Sequence, residues 1–240
     1  MNNLLITGAS SDIGSELMRY LDDENLTIYA HFNKSNEKIE ALQKELKSTI
    51  VPLQADLSNS EQRQRLIKEI EAYDIENVVH IASPNVENIR FRKLSWDDFD
   101  KQIQVGLRSI TEILIPILPK MAKRKKGKIV FLLTSYTINV PPMALAHYVT
   151  MKYGLLGLMK CLTSEYSTFG ININALSPSM IETEFLQALP EKLVELTIDK
   201  HPLKRLASTS DIVPMIEFLL SEKSDYINGT NLPITGGESF

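Results

Sequence analysis

The chain opens NNLLITGASSDIGSELMRYL, and this segment restricts the possible folds more than any other. Residues 3–7 form a short apolar run, Gly8 interrupts it, and residues 12–21 then carry apolar side chains at helical spacing. A strand that meets a glycine and turns straight into a helix is the first half of a βαβ unit, and its turn is a phosphate cradle. Gly8 permits the tight turn and Gly14 permits close helix–strand packing. The helix N-terminus presents N–H groups and the positive end of its dipole to a pyrophosphate. Gly8, Ser10, Ser11, Asp12 and Ile13 are therefore candidate nucleotide contacts.

The rest of the chain repeats this alternation. Strand-like runs cover residues 3–7, 26–32, 49–54, 77–82, 128–134, 172–177 and 231–234. Helical segments cover 12–21, 36–46, 60–72, 96–122, 144–168 and 210–221. Several runs are continuously apolar, as strands covered on both faces are. The pattern predicts an α/β fold of the Rossmann type, a doubly wound seven-stranded parallel sheet flanked by helices, with residues 1–240 as a single domain. Pro52 interrupts the third strand and places it at a sheet edge.

The net charge of −4 gives no electrostatic case for binding nucleic acid. The four histidines lack metal-ligand spacing, so no metal is expected. Cys161, the only cysteine, lies in the apolar GLLGLMKCLTSEY and reads as a buried structural thiol. The apolar ITEILIPILPKM carries Glu112 and two prolines and is too short to cross a bilayer. No secretory signal opens the chain, and a cytoplasmic protein is expected.

Reaction chemistry is suggested by AHYVTMKYG. Tyr148 and Lys152 stand four residues apart, stacked on one helix face. A phenol titrates near pH 10, roughly, and a neighbouring ammonium would bring it down. Ser135, at the end of an apolar run, could hold a carbonyl oxygen beside that phenol. The trio reads as a proton relay for interconverting a carbonyl and an alcohol.

With these motifs together the chain resembles the short-chain dehydrogenase/reductase family nearly end to end. TGASSDIG, QADLSN, GKIVFLLTS, YVTMK and INALSPSMIETEF are similar to its successive motifs, and the last third is similar to 3-oxoacyl-carrier-protein reductases. The resemblance implies strand order 3-2-1-4-5-6-7 and a catalytic set of Ser135, Tyr148 and Lys152. Lys152 would also hold the nicotinamide ribose. Asp56 and Leu57 would touch the adenine, Ala82 would line the cofactor, and Pro178, Ser179, Ile181 and Thr183 would meet the nicotinamide. A lid is implied over 183–206. Helices 96–122 and 144–168 would pair between subunits of a homotetramer, with residues 236–240 at a second interface.

The sequence departs from the family pattern at four ligand-facing places: Asp12 and Ser179 replace glycines, and His80 and Gly106 replace asparagines. Asp12 reads as first-turn helix chemistry, satisfying free N–H groups with its side chain away from phosphate, with a functional defect, a carboxylate that repels the pyrophosphate, as the alternative. His80 reads as a buried, neutral, hydrogen-bonded ring, with a cofactor contact or a titrating role as the alternative. Gly106 is either a kink or close-packing site, or a backbone carbonyl holding a relay water. On the relay reading, Gly106→Asn raises turnover or leaves it unchanged. Asn33, Lys34 and Ser35 follow the second strand without the acid that favours NAD, which points to NADPH over NADH. Ser11 pulls the other way, since NADPH-using relatives often have a basic residue there. The cluster Lys123 to Lys126 with Lys128 is either a solvated helix end or a dock for an acidic carrier.

Two functions follow. One is an NAD(P)H-dependent reductase of a small-molecule carbonyl, with a carrier-bound 3-oxoacyl thioester as one candidate. The other is a nucleotide-binding protein with little activity, serving as a sensor or partner subunit.

Overall fold

The computed structural model describes residues 2–184, 186 and 191–239. Seven parallel strands form one sheet: β1 (Asn3–Thr7), β2 (Thr27–Phe32), β3 (Thr49–Gln54), β4 (Asn77–His80), β5 (Gly127–Leu132), β6 (Ile171–Pro178) and β7 (Asn231–Ile234). Their order is β3-β2-β1-β4-β5-β6-β7, the order the family resemblance implies, and Pro52 lies on the edge strand β3.

The two sheet faces bury separate cores, because alternate residues of each strand point opposite ways. Leu4, Ile6, Ile28 and Phe32 face one way, against α1 (Asp12–Tyr20), α2 (Asn36–Glu45) and α8 (Thr209–Leu220). Leu5, Tyr29, Val78, Ile129 and Phe131 face α3 (Ser60–Ile70), α5 (Ser109–Arg124) and α6 (Ala146–Tyr166). Arg63 of α3 is completely buried between these layers, donating to Glu112 and to the Leu57 carbonyl, each at 2.7 Å.

Three sequence expectations change. The helix expected over 96–122 is α4 (Trp96–Gln102), a π-helical turn (Ile103–Arg108) and α5 in succession. Its inner face at Gly106 meets Met151 so closely that an added Cβ would lie 2.4 Å from Sδ. The irregular stretch after β6 contains a further helix, α7 (Glu191–Lys200). Cys161 is exposed rather than buried: it lies on the outer side of α6, whose buried side carries Met151, Leu155 and Met159. Among the described residues no helix is long and apolar enough to cross a membrane.

Candidate active site

All strands run the same way, so their carboxyl ends share one edge, and the candidate residues gather there. Gly8 turns the chain after β1 with φ +77°, and a Cβ on it would press on the Ala82 nitrogen at 3.0 Å. Gly14 lets α1 sit directly on this turn; a Cβ there would lie 2.5 Å from the Gly8 carbonyl oxygen. Ser11 caps α1, with Oγ accepting from Gly14 N at 3.1 Å and donating to Gly8 O at 2.7 Å. Ser10 is half-buried on the turn and Ile13 drops into the core. This glycine-lined cradle at a helix N-terminus fits a dinucleotide pyrophosphate.

Asp12 behaves differently from the sequence expectation. Ser11 does the capping, and the Asp12 carboxylate accepts from the backbone N–H of Glu184 at 2.7 Å. Lys38 of α2 joins both acids, 2.9 Å from Glu184 and 3.8 Å from Asp12. The substituted position thus fastens the segment after β6 to the nucleotide turn.

Two histidines flank the end of β1, both in register with Thr7: His31 on β2 and His80 on β4. His31 Nδ1 accepts from Gly8 N at 3.2 Å and Nε2 donates to Ala55 O at 3.1 Å. Burial pushes its pKa down to about 4. His80 is buried and neutral, as expected; burial, partly countered by its bond to Gly106, and the nearby Lys152 charge bring it to about 3. His31 escaped the sequence reading, although a lone polar residue ending the apolar YAHF, beside the turn, was a usable signal.

Asn33, Lys34 and Ser35 are exposed after β2. Asp56 accepts from Ser58 N at 2.9 Å and Oγ at 2.6 Å, and these bonds, helped by the Lys34 charge, hold its pKa below the ordinary carboxylate value. Leu57 and Ala82 are buried. Beyond β6, Ser179 donates its N–H to Ile234 O at 3.1 Å, Ile181 bridges to Ala207, and Thr183 Oγ1 donates to Ile181 O at 3.3 Å. The segment from Pro178 to Glu184 is therefore pinned at several points. The expected lid falls partly at residues 185 and 187–190, outside the described residues, as does Phe240 of the expected C-terminal interface.

Ser135 is buried and opens the 3₁₀ turn that follows β5. Tyr148 and Lys152 rise from the first two turns of α6, with Lys152 Nζ 5.6 Å from the Tyr148 ring centroid. Nζ donates to Leu132 O at 2.7 Å. Burial pushes the lysine down to about 7. Burial also pushes the Tyr148 phenol above its ordinary value, opposed by a hydrogen bond with Thr134. The expected lowering of the phenol by Lys152 is not seen: burial dominates the phenol and drives the lysine toward its neutral form. A cavity of about 550 Å³ lies along α6, lined by Pro141, Met143, Leu145, Val149, Thr150 and Tyr153; Ser135, Tyr148 and Lys152 do not line it.

The basic cluster before β5 sits at the opposite, amino-terminal edge of the sheet. Arg124 pairs with Asp74, Lys126 with Glu222 at 3.3 Å and Lys128 with Asp225 at 2.6 Å. Three of its five cations are thus paired, and the cluster lies a strand's length from the site, which disfavours carrier docking there.

Comparison with known proteins places this arrangement. A family described as enoyl-(acyl carrier protein) reductase matches residues 8–239. The chain belongs to the short-chain dehydrogenase/reductase family. It is 30% identical to a 3-oxoacyl-[acyl-carrier-protein] reductase of Staphylococcus aureus, over 97% of this chain and 96% of that one. Its identity to the enzyme of the same name from Rickettsia typhi is 32%, over 97% and 95%. The structure superposes on levodione reductase with TM-score 0.88 at 26% identity, covering 99% of this chain and 97% of the other. A 3-oxoacyl-[acyl-carrier protein] reductase from Brucella melitensis, at 21% identity and TM-score 0.87 over 98% and 90%, shares the fold. Members of this oxidoreductase family use nicotinamide cofactors, and the cradle at Gly8 suits one.

Proposed function

We propose that this protein is an NADPH-preferring carbonyl reductase acting on a 3-oxoacyl thioester held by a carrier protein. The observation that carries the reading is the buried Lys152, bonded to the β5 end beneath the Tyr148 ring, with Ser135 starting the next turn of the same strand end. Bound NADPH would supply the hydride that reduces the carbonyl carbon. Ser135 orients the carbonyl oxygen, and Tyr148 gives that oxygen its phenolic proton as negative charge develops there. Lys152 reprotonates the phenol and holds the cofactor ribose; its value of about 7 suits proton exchange near neutrality. The turn residues Gly8, Ser10, Ser11, Asp12 and Ile13 hold the pyrophosphate. Asn33, Lys34 and Ser35 read the adenosine ribose, Asp56 and Leu57 the adenine. Ala82, Pro178, Ser179, Ile181 and Thr183 line the nicotinamide end. The acyl-carrier names of the relatives favour an acyl substrate.

A cytoplasmic homotetramer belongs to the same reading. Trp96, Ile115 and Tyr153 leave apolar surface exposed on α4, α5 and α6, the surface a partner copy would cover. A monomer mass in solution scattering would overturn that assembly.

Oxidation of NADPH and NADH with a ketone panel and acetoacetyl-coenzyme A tests the activity. Tyr148→Phe should lower kcat by roughly 10²–10⁴-fold with cofactor affinity unchanged. Full activity in that variant would remove the site assignment. Cofactor binding without turnover of any carbonyl would favour the sensor or partner-subunit alternative.

A further inference from the structure

His80 stands in the row Thr7–His80–Phe131 across the centre of the sheet, with its ring edge-on to Phe131 at 6.3 Å between centroids. Its Nε2 is 2.8 Å from Gly106 O, an atom that only accepts, so Nε2 carries the proton. Nδ1 then accepts, and the Thr7 hydroxyl donates to it at 2.7 Å. Thr7 Oγ1 is free to face the Ala82 N–H at 3.5 Å. The result is a one-way hydrogen-bond chain from the nucleotide turn into the π-turn.

That π-turn matters to the site. Breaks of this kind displace backbone groups from the regular helical ladder, and here the Gly106 carbonyl goes to His80. The other side of Gly106 lies against Met151, with no room for a side chain between them. Met151 immediately precedes Lys152, and Lys152 donates to Leu132, the residue after Phe131. The imidazole therefore touches the supports of Lys152 on both sides, through Gly106 and through Phe131.

We propose that His80 is a positioning residue whose two ring nitrogens tie the nucleotide turn at Thr7 to the π-turn at Gly106 and thereby set Lys152 relative to bound cofactor. The inference rests on reading Tyr148 and Lys152 as the proton-handling pair. The bridge needs one donor and one acceptor on the ring, which only neutral imidazole offers. Burial and the Lys152 charge keep it in that form.

Two amide variants separate the two bonds. An asparagine amide branches at Cγ and reaches the Nδ1 position, so His80→Asn keeps the Thr7 contact and loses Gly106. A glutamine amide reaches one bond further, so His80→Gln keeps Gly106. With NADPH and acetoacetyl-coenzyme A, His80→Gln should hold kcat within about twofold, whereas His80→Asn should lose about tenfold in kcat with the NADPH KM unmoved. His80→Leu should show the kcat loss and also raise the NADPH KM. Equal losses in Gln and Asn, or a His80→Leu enzyme as active as wild type, would overturn the proposal. Nitrogen-15 NMR of the unaltered protein gives a readout that needs no variant to fold: the neutral Nε2–H tautomer is expected at pH 6, and the Nδ1–H tautomer or a charged ring would refute the bridge. Tyr148→Phe runs alongside. Retained activity there would sink the underlying reading, whereas unaffected His80 variants beside an inactive Tyr148→Phe would sink only the positioning role.

Discussion

Acidification should unfold this protein earlier than its carboxylates alone would, because of His31 and His80. Both rings are buried with one nitrogen donating and the other accepting, so both must be neutral in the fold. Their folded pKa values, about 4 and about 3, lie below the roughly 6.5 of an unfolded histidine. Between these limits the unfolded chain binds more protons, so stability rises with pH. The contribution is complete above about pH 7 and is lost as pH falls through 6.5. Linkage gives about 2 kcal/mol per ring at pH 5, or about 4 kcal/mol for the pair. That is about a quarter or more of the stability of an ordinary domain, about 5–15 kcal/mol. His147, also pushed down by burial, adds in the same direction. Glu112, Asp98 and Asp56, held below their ordinary values, lose stability only below about pH 4.5, outside this window. Lys152 acts mainly above its folded value of about 7, where stability again rises with pH. Urea unfolding at pH 7, 6 and 5 measures the effect, and His80→Gln should remove about half of the histidine contribution. An unchanged free energy between pH 7 and 5 would refute the reasoning.

Lys34→Ala should weaken NADPH much more than NADH, because Lys34 is the cation beside Asp56 on the acid-free loop after β2; equal weakening in a binding titration would show that it does not read the 2′-phosphate. Gly14→Ala should lower the melting temperature and cofactor affinity together, at about 1–3 kcal/mol or more, since its Cβ would meet the Gly8 and Ala9 carbonyl oxygens at 2.5 and 2.7 Å; a wild-type melt would contradict this. Gly106→Asn, which the sequence reading expects to help or leave turnover alone, should instead reduce kcat and stability because Met151 fills the space; a rise in kcat would restore the relay reading.

The chain's local patterns determined the sheet and most of its contents. Strand boundaries, the Gly8 turn and the Tyr148–Lys152 stack are near-neighbour properties, set by periodicity and by what glycine permits within one turn. Pro52 placed β3 at the edge for an equally local reason, its missing N–H. Tertiary structure decided where long-range polar bonds go. His80 finds Thr7 from 73 positions away and Gly106 from 26, and Asp12 finds the Glu184 amide across 172. No spacing rule encodes such pairings, because they depend on which strand ends share an edge and how deeply each group is buried. Burial likewise set the site's electrostatics. The four-residue spacing predicted a phenol lowered by its lysine, but enclosure by the core raised the phenol, lowered the lysine to about 7 and gave the ammonium to Leu132. The exposed Cys161 shows the same limit: an apolar helix has an outer side, and only packing reveals which residues lie on it.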